Sequence, residues 1–271
     1  MASVLLGIFT ALSLLIWSAL PPTLTAMGLH PHYSAQPIDR HGRRALIVNT
    51  SQNVLAPTSQ ATGVWASEMT APYYVFLDAG MEVDLASIQG GAIPLEPGST
   101  DWPVASPPDE RFLADPALRF KVLHSLKIDA VDIDSYDIVF LAGGWGAAYD
   151  LGPSKVLGEK LTRAWARNAV IGGVCHGPLG LLQVRTPAGE LLVKGRHLTA
   201  VSDKQIAELG IGFTPQHPER ELRAAGALYE KSTAITDILA YHVVVDGRLV
   251  TGQNQNSGPE TAYRMMELLG S

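Results

Sequence analysis

The stretch from Ala169 to Leu182, "AVIGGVCHGPLGLL", carries the only cysteine of the 271-residue chain. Its apolar, β-branched first half predicts a strand, and "HGPLGLL" predicts the opening of a helix. Cys175 stands at the bend between them. A strand that turns directly into a helix crowds the residue at the turn, and Gly173 and Gly177 give it side-chain-free neighbours on both sides. This is the cysteine counterpart of the G-x-S-x-G elbow, which holds a nucleophile at the carboxyl edge of a sheet. The helix that follows is expected to favour a thiolate and to offer N–H groups to an oxyanion. His176 is the matching general base. The bland reading is a buried cysteine packing as a small hydrophobe beside a histidine on a loop. From these residues alone both stay open.

Outward from the elbow, short apolar runs alternate with helical stretches, which predicts an α/β sandwich around a mostly parallel sheet. Upstream, "RALIVNT" is a first strand and "SEMTAPYYVFLDAG" a helix with Ser67 as N-cap. "MEVDLAS" is a second strand, and Gly90 to Pro108 is a Pro/Gly-rich loop over a sheet edge. "FLADPALRFKVLHSL" has helical spacing, "YDIVFLAGG" is a buried strand, and "SKVLGEKLTRAWARN" is an amphipathic helix. Downstream, "YHVVVDGRLVTGQN" predicts a hairpin across Asp246-Gly247. "SGPETAYRMMELLG" predicts a closing helix with Ser257 at its start and Pro259 in its first turn.

Composition narrows the partners. Twenty basic against 26 acidic residues leave a net charge of −6, without a Lys/Arg cluster, which argues against nucleic acid. A single cysteine excludes an intrachain disulfide framework and a thiolate-rich zinc site. His30, His32 and His41 lack a clustered carboxylate and are linker residues, so no metal site is expected; no phosphate loop or dinucleotide fingerprint occurs, so no cofactor is expected either. Val4 to Leu20 is apolar or weakly polar throughout and ends at Pro21-Pro22. Its length suits a membrane anchor or export signal, although no Lys or Arg precedes it. The expected division is a hydrophobic segment over 1–27, a linker over 28–43 and one domain over 44–271. The expected location is membrane-anchored or exported, and cytoplasmic if the segment is not a signal.

Four motifs in order, "GVWASEMTAPYYVFLDAGMEVDLASIQGG", "VFLAGGWGAAYDL", Cys175-His176-Gly177-Pro178 and "VVVDGRLVTGQN", resemble the ThiJ/PfpI superfamily. More narrowly they resemble its branch of glutathione-independent glyoxalases (glyoxalase III) and stress chaperones. The resemblance covers about Ala45 to Leu269 and implies a flavodoxin-like three-layer sandwich, related to class I glutamine amidotransferases and usually dimeric. It implies Cys175 as nucleophile, His176 as its partner, and Glu68 as the acid that hydrogen-bonds the sulfur. It also implies a third acid on a turn of the type "TAVSDKQ", placed at Asp203, which would orient His176. "GGWGA", Gly143 to Ala147, matches the turn whose amides form the oxyanion site, giving Gly144, Trp145 and His176. Trp145 stands where histidine is common, and "GQNQNSG" lacks the proline that commonly follows the asparagine.

The implied activity is glyoxalase III-like (D-lactate dehydratase), a cofactor-free conversion of methylglyoxal or related 2-oxoaldehydes to hydroxy acids. A holdase-type chaperone that binds unfolded proteins and a cysteine redox sensor are the alternatives. His217-Pro218-Glu219 copies the H-x-E of true glutamine amidotransferases. It lies too close behind the cysteine for that role and opens a structural helix, "PERELRAAG".

Overall fold

The computed structural model describes residues 37–56 and 58–270, with a few positions between 13 and 26. Seven strands form the central sheet: β1 (Arg44–Asn49), β2 (Glu82–Ser87), β3 (Leu126–Lys127), β4 (Ile138–Leu141), β5 (Val170–Val174), β6 (Val243–Asp246) and β7 (Leu249–Gly252). Their order is β6-β7-β5-β4-β1-β2-β3, and every pairing is parallel except the β6–β7 hairpin. Around it lie α1 (Ala66–Asp78), α2 (Pro107–Ala114), α3 (Pro116–Leu123), α4 (Lys155–Ala166), α5 (Asp203–Glu208), α6 (Pro218–Ala224) and α7 (Gly258–Glu267).

The period-two alternation of each central strand sends its side chains into two cores. Ala45 and Ile47 of β1, with Ile138 and Phe140 of β4, pack under α1 and α7 against Met69, Phe76 and Met265. Phe76 meets Phe140 edge to face at 6.2 Å. Leu46, Val48, Val139 and Leu141 face the opposite way, onto Leu157, Leu161 and Trp165 of α4. Buried on both faces, these strands read as continuous apolar runs, as parallel sheets require. The result is the three-layer α/β sandwich expected from the sequence.

Three local expectations are corrected. The helix expected from Ser67 starts one residue earlier, with Trp65 at the N-cap position and no side-chain cap; the Ser67 hydroxyl is buried inside the first turn. "FLADPALRFKVLHSL" is two helices, because Pro116 cannot continue α2 and Asp115 caps α3 by accepting the Ala117 and Leu118 amides. After Cys175 the chain makes only a five-residue 3₁₀ turn, Gly177–Leu181. Gly177, Pro178 and Gly180 are poor helix formers, so the helix-dipole contribution expected at the thiol is small.

The 1–27 segment and the 28–43 linker lie mostly outside the described residues. Among the described residues no helix is long and apolar enough to cross a membrane, so the anchor or export expectation finds no support here. His30 and His32 also lie outside them, while His41 Nδ1 pairs with Asp39 Oδ1 at 2.5 Å on the surface. No group of three or more potential metal ligands occurs among the described residues.

Candidate active site

Registers Val48↔Leu141, Leu141↔Gly173 and Val174↔Gly252 bring the carboxyl ends of β1, β4, β5 and β7 to one edge, where α/β sheets place their sites. Cys175 stands on that edge. Its φ is +58°, a left-handed conformation that costs a non-glycine residue about 1–2 kcal/mol. Backbone bonds to the end of β7 and to the segment before α5 hold it there: the Cys175 N–H donates to the Gly252 carbonyl at 3.2 Å, and its carbonyl accepts the Val201 N–H at 3.0 Å.

The flanking glycines are explained by β4. A Cβ at Gly173 would lie 2.4 Å from the Leu141 carbonyl oxygen, and one at Gly177 would lie 2.1 Å from the same atom. Gly177→Ala must therefore push the elbow off the end of β4. It is expected to cost about 3 kcal/mol in chemical denaturation, the upper range of overpacking.

Three groups converge on the sulfur. His176 Nδ1 lies 3.5 Å from Cys175 Sγ, so adjacency in sequence is also adjacency of functional atoms. Glu68, carried in by the first turn of α1, lies against the thiol and the amides of Gly143 and Gly144, although its Oε2 has no well-aligned donor. The amides of Gly144 and His176 face the sulfur and favour its anion. Nothing places the Trp145 amide among those donors; the Trp145 side chain is half-buried against the α1 side of the core.

Burial sets the protonation states. It raises the Glu68 carboxyl to about 8, so this group is protonated at neutral pH. Cys175 is 6% exposed, and burial, reinforced by Glu68, pushes its thiol well above the ordinary value of 9.0. The expectation of an accessible, ionised sulfur is thereby corrected: the resting group is a buried thiol, and the neutral carboxyl beside it supplies a hydrogen-bond donor when charge develops on sulfur. His176 is fully buried, and burial, with a smaller electrostatic contribution from His217, lowers it to about 3, so it is neutral.

Asp203 is not joined to His176. It accepts a hydrogen bond from Arg220 Nε at 2.8 Å, and its Oδ1 lies 3.9 Å from His217 Nδ1. The guanidinium draws the carboxylate toward α6, leaving His176 Nε2 buried without a hydrogen-bond partner among the described residues. His217, set aside on its spacing, is instead buried at the start of α6 and within electrostatic reach of His176. Its apparent H-x-E partner, Glu219, is engaged elsewhere: it accepts from Arg223, Lys231 and the Asp203 amide. The sequence signal at His217 was the H-x-E pattern His217-Pro218-Glu219, discounted on its spacing from Cys175, and the approach of His217 to Asp203 comes from tertiary packing.

A parallel sheet with a strained cysteine at its carboxyl edge, flanked by imidazole and a buried carboxyl, defines a class of α/β proteins built on a cysteine elbow. Residues 58–268 match the DJ-1/PfpI family, and the chain belongs to that family. It is 29% identical over 82% of its length to the glutathione-independent glyoxalase hsp3101 of Schizosaccharomyces pombe, covering 93% of that protein. It is 31% identical over 81% of its length to glyoxalase 3 of Candida albicans, covering 95% of it. The crystal structure of glyoxalase III from Candida albicans superposes with a TM-score of 0.78 at 26% identity, covering 85% of this chain and 98% of that one.

Proposed function

We propose that the chain is a glyoxalase III-like enzyme, a glutathione-independent hydro-lyase that turns methylglyoxal or a related 2-oxoaldehyde and water into a 2-hydroxy acid. The names of its relatives support the glyoxalase type of activity. The observation that carries the assignment to this site is the contact of Cys175 Sγ with His176 Nδ1 at 3.5 Å, beside the protonated Glu68.

Because His176 is neutral and weakly basic at rest, the thiol proton is not simply stored on the ring. Sγ bonds to the aldehyde carbon while its proton passes through Nδ1 to the new alkoxide, which the Gly144 and His176 amides stabilise. The imidazole then removes the hydrogen on that carbon, giving an enediolate, and returns it to the neighbouring carbon while the hydroxyl proton of the first carbon passes to the neighbouring oxygen, which leaves a thioester of the 2-hydroxy acid on Cys175. Water adds to the thioester, the carbon–sulfur bond breaks, and the thiol recovers a proton as the hydroxy acid departs. Every proton taken is returned, so the cycle needs neither cofactor nor external thiol. Proton NMR of purified protein with methylglyoxal, without glutathione, should show lactate formed in step with substrate loss. Absence of lactate would overturn the assignment.

The domain over 44–271 carries this activity, with the 1–27 segment preceding it as a separate unit; anchoring or export rests on the apolar sequence from Val4 to Leu20. A holdase role is favoured by one observation: Phe120, Leu123 and Leu126, on α3 and β3 at the sheet edge, are exposed at 62, 59 and 44%. That face could also join two copies of the chain in the expected homodimer, and light scattering distinguishes the two uses. Redox sensing fits less well, because sensor thiols are exposed and of low pKa.

A further inference from the structure

We infer that His217, held by Asp203, is the positioning residue that His176 turns to, so that the third acid acts on the nucleophile's partner through a second imidazole. This inference deepens the proposed Cys175–His176 site and rests on that reading.

Besides Glu68 Oε2, the buried polar atoms without a hydrogen-bond partner among the described residues include His176 Nε2, His217 Nδ1 and Asp203 Oδ1. Leaving a polar atom unsatisfied in the interior costs about 1–3 kcal/mol, so three together mark a place where polar groups meet in the working state. The atoms are complementary. An imidazole has one donor and one acceptor, and a carboxylate accepts. With a proton on His217 Nδ1, a small rotation of that ring closes the 3.9 Å gap to Asp203 Oδ1. His217 Nε2 is then an acceptor for the proton on His176 Nε2. That assignment leaves His176 Nδ1 free to accept from Cys175 Sγ, which lies 3.5 Å away. One tautomer choice thus satisfies all three atoms and makes Nδ1 the base.

The surroundings fix the chain of bonds. Arg220 holds Asp203 Oδ2, while the Asp203 amide is held by Glu219, itself locked by Arg223 and Lys231. Asp203 stands two residues beyond Val201, whose amide binds the Cys175 carbonyl, so the carboxylate is fixed relative to the elbow. When Sγ forms its bond to substrate, positive charge develops on His176. The relay shares that charge with His217 and the Asp203 carboxylate, and no proton is gained or lost overall.

The single cysteine allows a test that does not depend on the substrate: the rate of Cys175 alkylation by iodoacetamide across pH 5–9, with folding followed by circular dichroism. His217→Leu removes the acceptor and is expected to slow alkylation at pH 7 about tenfold and to flatten its pH dependence. His217→Gln, whose carboxamide oxygen accepts from Nε2, should restore the rate to within about threefold. Asp203→Asn should slow alkylation alone but add nothing in the His217→Leu background. Wild-type alkylation in His217→Leu, or an equal Asp203→Asn effect with and without His217, would overturn the inference. Should His217→Leu unfold, the Asp203→Asn effect is read with and without His217→Gln, and full additivity there would also overturn it. Loss of methylglyoxal turnover in the wild type with the alkylation pattern intact would instead contradict the proposed substrate alone.

Discussion

Cys175→Ala is expected to lower glutathione-independent methylglyoxal turnover by at least about 10³-fold, the scale on which removing a covalent nucleophile acts. The substitution removes one buried sulfur and leaves the backbone anchors to Gly252 and Val201 in place. Its stability cost should stay near 1 kcal/mol, so the protein folds and the loss belongs to chemistry. Cys175→Ser should be almost as inactive, because a neutral, weakly basic imidazole does little for a hydroxyl. Turnover is followed by loss of methylglyoxal absorbance, and folding by thermal melting. Activity within tenfold of wild type in the alanine variant would remove Cys175 from the reaction. Suppression of client aggregation by the same variant would assign any holdase role to the exposed face at Phe120 and Leu123.

Glu68→Gln should separate activity from stability in opposite directions. A carboxamide can donate to sulfur but cannot follow its charge, so turnover should fall about 10²-fold, within the range of general acid–base contributions. Stability should rise at alkaline pH. The Glu68 carboxyl ionises near 4.5 in the unfolded chain and about 8 in the folded one, so folding favours the protonated form. Its contribution is fully present below pH 4.5 and is lost as pH rises through 8. Between those limits the wild type should lose as much as ~4 kcal/mol relative to the glutamine variant. Urea denaturation at pH 5 and pH 9 measures this directly. Equal pH dependence in the two proteins would mean that Glu68 is ionised in the folded state.

Much of this architecture could be read from local patterns. Apolar runs of the right length located β1, β2, β4 and β5, and Asp246-Gly247 located the β6–β7 hairpin, because those signals depend on residues close in sequence. Gly173 and Gly177 marked the elbow, yet the reason for them, the Leu141 carbonyl beneath both, comes from a neighbouring strand. The helix expected after His176 failed because three weak helix formers in five residues outweighed the hydrophobic spacing. The Pro116 break, in contrast, was signalled by Asp115-Pro116 and overridden by apparent periodicity.

The site divides similarly. The geometry at Cys175, His176 and Glu68 is set by one bend and one helix start, both visible as motifs. Burial is not visible in a motif, and it leaves the sulfur as a resting thiol where a helix end suggested a thiolate. The position of Asp203 beside the elbow follows from the Val201 backbone bond, but the direction of its carboxylate is decided by Arg220, 17 residues on. His217 reaches the site by packing of α6, which no spacing rule anticipates.

Rapid acid quench of the protein during methylglyoxal turnover, followed by peptide mass spectrometry, tests the central claim that carbon binds sulfur at the elbow. One substrate-derived adduct is expected on the peptide containing Cys175, appearing before lactate and decaying with it. Lactate formation with that peptide unmodified at every quench time would contradict it.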